Sequence, residues 1–317
     1  MPSWIASSSR QAGLLAMTNQ ETTNHSRVAA TKGVPHTAGM RLGVRAHDFG
    51  KLPLDELAVQ IARHGLSCIQ LAPPKAIAGF DADAGRLSPG LACHVRESFQ
   101  RHGIQIAVLG CYINLGDPDD ARRRPQLDRF KEYVRFARDF GCSLVGTETG
   151  SVNADFSRHP DNQGEAAFQT VLASVRELVR EAEKFGVFVG IEGVERYVIS
   201  SPRRLKRLVD EVNSPNLQVI FDPVNLLCAK NHRAQDEVTD EALALLGDRI
   251  CIVHAKDFIV VDDRFQELPA GRGELHYPRV MRWIMEHKPW VNVLLENTQP
   301  ATIAETVGFM ENSYRDA

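Results

Sequence analysis

The sequence predicts an α/β protein, a single-domain (β/α)8 TIM barrel over residues 40–317, preceded by a flexible N-terminal tail at 1–39. Three observations carry this. Short apolar runs alternate with amphipathic helical segments eight times over about 275 residues, the size and order of that fold. Glycines stand where a left-handed residue closes a helix, at Gly65, Gly103, Gly141 and Gly186, each shortly before a strand. No glycine-rich phosphate loop follows any strand, which weighs against a doubly wound open sheet, the runner-up.

In order, the first strand is read at Leu42-Gly43-Val44, followed by a helix from Leu54 to His64 in which Leu57, Ala58, Ile61 and Ala62 share one face. The second strand is Cys68 to Leu71, with a helix from Pro89 to Arg101. The third, Ile104 to Leu109, leads through a loop into a helix from about Gln126 to Asp139. The fourth, Ser143 to Gly146, precedes the long helix Glu165 to Lys184. The fifth is Val187 to Ile191 with a helix over Pro202 to Val212, and the sixth Leu217 to Phe221 with one near Asp240 to Leu246. The seventh is Ile250 to Val253 with a helix over Pro278 to His287, and the eighth Val291 to Leu295 with one from Ala301 to Ser313.

Composition narrows the function classes. A net charge of −3 with 43% hydrophobic and 24% charged residues is that of an ordinary globular enzyme, with no general attraction to nucleic acid or to an anionic membrane. No apolar run approaches the ~20 residues a membrane span needs. Cys68, Cys93, Cys111, Cys142, Cys228 and Cys251 form no C-x-x-C pair and read as reduced thiols in a cytoplasmic protein. Within the tail, Trp4-Ile5 and Leu14 to Met17 are too short for the apolar core of a secretory signal; an amphipathic transit peptide is the alternative.

In a TIM barrel the chemistry sits at the C-terminal ends of the strands. Strand five closes in Gly190-Ile191-Glu192, strand six in Ile220-Phe221-Asp222, strand seven in Ile252-Val253-His254 and strand eight in Leu294-Leu295-Glu296. Each of four strands thus offers one ligand at the same rim. Three converging carboxylates repel unless a cation neutralises them. One imidazole and three carboxylates make a hard site for a divalent metal, Mn²⁺ or Mg²⁺ first, then Co²⁺, Fe²⁺ or Zn²⁺. Taken singly, each residue is as well explained by a salt bridge at a strand end.

At these four positions the chain resembles the xylose-isomerase-like sugar isomerase/epimerase superfamily over about residues 41 to 312. The stretches His254-Ala255-Lys256-Asp257 and Pro269 to Glu274 add to the likeness. The resemblance implies Glu192, Asp222, His254 and Glu296 as metal ligands. It also implies Glu192 and Glu296 as an acid/base pair that moves a proton α to a carbonyl through a metal-stabilised enediolate, although both could be ligands only. Asn225 stands where epimerases of the group often carry a histidine; an amide donates a hydrogen bond but shuttles no proton. Glu195, three beyond Glu192, is expected to be held aside by Arg196.

Further residues are expected to bind substrate, each with a plainer role beside it. Glu148 ends strand four and is a sugar contact or a loop acid. His47 follows strand one and orients substrate or caps the barrel end. Lys256 holds a carboxylate or phosphate, or pairs with Asp257. Arg272 reaches over the mouth or lies in solvent. Tyr112, Phe258 and Trp290 form a sugar platform or pack in the core.

The expected activity is therefore isomerisation or epimerisation of a small sugar or keto-sugar. The alternative is a lyase or dehydratase that eliminates a β-substituent from a keto-sugar, keto-inositol or 3-keto-glycoside. An endonuclease IV-like enzyme needs more histidines than the strand ends offer, and a non-catalytic sugar-binding barrel is a further option. The partner is a small carbohydrate, with no nucleic acid and no membrane; a homo-oligomer stays open.

Overall fold

The computed structural model describes residues 40–81 and 83–317, so the expectations for 1–39 lie outside the described residues. The chain runs β1 (Arg41–Arg45), α1 (Leu54–Ala62), β2 (Cys68–Leu71), α2 (Pro73–Ala76), α3 (Pro89–Gln100), β3 (Gln105–Gly110), α4 (Asp120–Phe136), β4 (Leu144–Glu148) and α5 (Glu165–Phe185). It continues through β5 (Phe188–Glu192), α6 (Pro202–Val212), β6 (Leu217–Phe221), α7 (Gln235–Leu246), β7 (Ile250–Val261), β8 (Arg264–Pro269), α8 (Tyr277–His287), β9 (Asn292–Leu295) and α9 (Ile303–Arg315).

Eight parallel strands close a TIM barrel in the order β1 to β7, then β9, which returns to β1. Its interior is packed by complementary volumes. Gly146 and Gly190 are paired across β4 and β5, and a methyl on either would come within 2.8 or 3.0 Å of the Ile220 side chain. Ile220 fills the space the two glycines leave. Outside, Leu172, Val175 and Leu178 of α5 are buried, as are Leu205 and Leu208 of α6.

All four expected helix-closing glycines take positive φ. At Gly186 the reason is clear: φ is 60°, and its N–H reaches back to the Ala182 and Glu183 carbonyls. Two helices start earlier than expected, α7 at Gln235 and α4. α4 begins at Asp120, where Asp119 caps the Ala121 amide and Arg122, Arg123 and Arg124 pair with nearby acids. Pro125 is its sixth residue, past the first turn, and forfeits one backbone hydrogen bond there.

The unexpected element is a hairpin. The seventh strand continues past the barrel rim to Val261, turns at Asp262 and Asp263 with φ of 50° and 58°, and returns antiparallel as β8. The β-branched run Ile259-Val260-Val261 before an Asp-Asp pair was the local signal for it. All six cysteines are free thiols, and burial pushes Cys68 and Cys142 up to about 11. No helix among the described residues is long and apolar enough to cross a membrane.

Candidate active site

Parallel pairing in register brings the strand ends to one rim. Glu148 lies directly opposite Glu192, and the Glu296 amide bonds the Ala255 carbonyl beside His254. One ligand-capable atom each from Glu192, Asp222 and His254 lies within 4.8 Å of the others. Glu296 joins them through His254, whose Nδ1 is 3.3 Å from both Glu192 Oε1 and Glu296 Oε1. All four residues are buried.

A hydrogen-bond chain behind His254 orients it. Gln70, the penultimate residue of β2, donates to the Tyr112 hydroxyl and so turns its carbonyl oxygen to His254 Nε2, 2.8 Å away. That oxygen accepts a hydrogen bond from Nε2–H, which leaves Nδ1 facing the carboxylates. Burial opposes charge on this imidazole, but Glu192 and Glu296 raise its pKa to about 9.

Lys256, two residues along β7, is the main counter-charge. Its ammonium lies 3.2 Å from Asp222 Oδ2, 3.2 Å from Glu296 Oε2 and 3.1 Å from Glu267 Oε2, and donates to Asn225 Oδ1 at 2.7 Å. Asn225 in turn donates to Glu192 Oε1 at 2.5 Å. Burial would neutralise Lys256, yet Asp222, Glu296 and Glu267 hold it charged well above its ordinary range. Burial would also raise Glu296, but Lys256, His254 and Arg45 hold it well below the usual carboxylate range. Asp222 goes the other way: burial pushes it up to about 7, against the pull of Lys256.

These residues fit a divalent cation. Asp222 Oδ1 accepts the Val224 and Asn225 amides, whereas the buried Oδ2 meets Lys256 at ion-pair distance and has no hydrogen bond among the described residues. Once a bound metal displaces the His254 proton, Glu192, Asp222, Glu267, Glu296 and Asp48 share two cations, Lys256 and Arg45, an excess of negative charge that a divalent ion would offset.

The other expected contacts divide. Burial, with Glu192 next, raises Glu148 to about 7. His47 packs edge-on to Tyr112, and its Nδ1 is buried with no hydrogen-bond partner among the described residues; burial, Arg45 and Lys75 push it down to about 3. Arg272 is not brought into the cluster: its guanidinium pairs with Glu305 of α9 at the exposed surface. Asp257 does not pair with Lys256 but accepts the amides of Phe258, Leu275 and Gly271, which pins the loop after β8. Arg158, not Arg196, holds Glu195. Phe258 is fully buried and stacked on Phe265, while Trp290 lies exposed just before β9, at the barrel end away from the site.

Sequence reading missed Arg45, Gln70 and Glu267. Applying the strand-end rule to β1 finds Arg45, whereas Gln70 is the penultimate residue of β2, marked only as a polar side chain inside an apolar run. Glu267 is delivered by the hairpin and needed the Asp-Asp turn to be recognised first.

Comparisons with known proteins agree with this architecture. The family described as xylose isomerase-like TIM barrel matches residues 58–313. The chain is 25% identical over 198 residues to 3-oxo-isoapionate decarboxylase from Pectobacterium atrosepticum, covering 61% of this chain and 63% of that protein. It is 25% identical over 182 residues to a probable L-ribulose-5-phosphate 3-epimerase from Mycoplasma pneumoniae, covering 57% of this chain and 55% of that one. The chain therefore spans less than two thirds of the length of each of these curated relatives. Among solved structures, a D-tagatose 3-epimerase-like protein superposes with a TM-score of 0.70 at 18% identity, covering 87% of this chain and 98% of that one. A Mycobacterium smegmatis xylose isomerase-like TIM barrel protein in complex with magnesium gives 0.69 at 15%, covering 88% and 98%. The IOLI protein with a bound zinc atom gives 0.67 at 17%, covering 87% and 97%. At these identities the structures show a shared fold, and with the family match over most of its length the chain belongs to the xylose isomerase-like TIM barrel family.

Proposed function

We propose that the protein is a divalent-metal-dependent isomerase or epimerase of a small sugar or keto-sugar. The observation that carries this reading is the convergence on His254 Nδ1 of Glu192 and Glu296, each 3.3 Å away, beside the hydrogen-bond-free Asp222 Oδ2. Glu192, Asp222, His254 and Glu296 would hold Mn²⁺ or Mg²⁺, with Co²⁺, Fe²⁺ or Zn²⁺ as further candidates. The magnesium and zinc in two proteins of the same fold support a metal of this class. Such an ion, when bound, polarises a carbonyl and acidifies the C–H beside it.

Glu192 and Glu296 come from β5 and β9, which are not neighbours in the barrel, so they approach a substrate from different sides. In this reading one removes the proton and the other returns it. Lys256 and Arg45 keep Glu296 ionised, as a proton acceptor must be. Asn225 and Lys256 orient the carboxylates and contact substrate oxygens, as do Glu148 at the end of β4 and His47 after β1. Arg272 has no part in the proposed site, because Glu305 holds it at the surface.

A lyase is the second reading, favoured by two observations. Asn225 is bound to Glu192 and Lys256 and cannot carry a proton, while the decarboxylase relative is named for loss of a group rather than its rearrangement.

The test is a panel of keto-sugars incubated in deuterated water with chelated protein, then with Mn²⁺ or Mg²⁺ restored. Metal-dependent deuterium uptake at a carbon next to the carbonyl, with mass otherwise conserved, is expected. A cleaved or dehydrated product selects the lyase, and full turnover without metal removes the scheme.

A further inference from the structure

The Lys256 ammonium has three protons and four acceptors around it, and the acceptors are not equivalent. Asp222 and Glu296 have side chains that are 0% and 5% exposed, whereas Glu267 is 33% exposed. Asp222 is tied down by two backbone amides and Glu296 by Arg45, and both end or directly follow barrel strands. Glu267 is carried on β8, outside the barrel, and its remaining contact is Asn297 Nδ2 at 3.3 Å. Of the three carboxylates on Lys256, it is the one free to leave.

A second cation borders the same place. Arg196 stacks on the Tyr197 ring at 4.8 Å and forms no ion pair among the described residues. Glu148 and Glu267 are the carboxylates whose charges it senses. Glu267 therefore sits directly against one buried cation, with the Arg196 guanidinium at longer range, a position suited to any small anion.

We propose that Glu267 holds the place of an anionic substrate group, a carboxylate or a phosphate, which displaces it from Lys256. The reasoning is charge conservation. A substrate anion that replaces Glu267 leaves the buried ammonium as fully neutralised as before, whereas a neutral hydroxyl does not. The inference rests on the proposed function only in placing the substrate at this mouth.

Binding without turnover tests it. Calorimetric titration of the full chain, kept in chelator, uses three probes: D-ribonate, ribitol 5-phosphate and neutral ribitol. Glu267→Gln removes the competing charge from an exposed hairpin position, so the variant keeps its fold. It is expected to bind one or both anionic probes about five-fold more tightly than the wild type, with ribitol unchanged. Gain with ribonate alone assigns a sugar acid, gain with the phosphate alone a sugar phosphate, and gain with both the shared anion chemistry. Adding Arg196→Gln should reverse the gain. Anion affinity that stays the same or falls in Glu267→Gln, or equal tightening of ribitol, overturns the proposal. Because no metal or catalysis is involved, failure of the isomerase reading leaves this result interpretable.

Discussion

Lys256 donates to the side-chain oxygen of Asn225 across 2.7 Å, and the same amide passes a hydrogen bond on to Glu192 at 2.5 Å. A buried ammonium is thereby linked to a buried carboxylate through one neutral side chain, in a cluster where each unpaired partner would be expensive.

Replacing Asn225 with Ala breaks both links at once. Lys256 keeps its three carboxylates, but Glu192 loses its amide donor. Stability should fall by about 1–3 kcal/mol, the usual penalty for stranding buried polar groups. Urea unfolding in chelator measures it, and an unchanged midpoint would show that the amide is dispensable.

Glu296→Gln should suppress deuterium exchange by about a hundred-fold or more, the contribution of a general acid or base. Affinity for a substrate analogue should move far less. Exchange that persists at the wild-type rate removes Glu296 from proton transfer and leaves it at most a ligand.

The titration of the cluster has a definite sign. Asp222 keeps its proton up to about pH 7 in the fold, against an ordinary value of 3.8, mainly because it is buried. His254 keeps its proton up to about pH 9 against 6.5, because Glu192 and Glu296 outweigh burial. In both cases the folded state binds more protons than the unfolded one, so stability from these groups declines as pH rises from about 4 to 9. Chelated protein should lose melting temperature across pH 6.5 to 9, and His254→Asn should flatten that limb. Excess divalent metal should reverse the slope, since binding displaces the His254 proton. A melting temperature that climbs with pH in chelator contradicts the assignment.

Asp257 is buried and accepts three backbone amides, from Phe258, Gly271 and Leu275. Nearby, Gly273 lies so close that a methyl would meet Phe258 O at 2.2 Å. Asp257→Ala should destabilise by about 3 kcal/mol. It should also raise amide hydrogen exchange at residues 271–275; protection equal to wild type would mean another group holds that loop.

Much of this molecule could be read from the chain alone. The barrel follows from local rules: apolar runs of strand length, helices with one apolar face, and glycines where φ must be positive, as at Gly186. The rim follows as well, because every parallel strand in a closed barrel ends on the same side, so Glu192, Asp222, His254 and Glu296 had to gather there. Which charges pair was decided by tertiary structure. Lys256 chose Asp222, Glu267 and Glu296 over its neighbour Asp257 because successive residues of a strand point to opposite faces. Arg272 went to Glu305, Trp290 to the far end, and Glu267 into the site, each placed by the course of a loop or hairpin. Strand periodicity places a residue on a rim, but partner choice depends on distances between atoms far apart in sequence, which spacing along the chain does not encode.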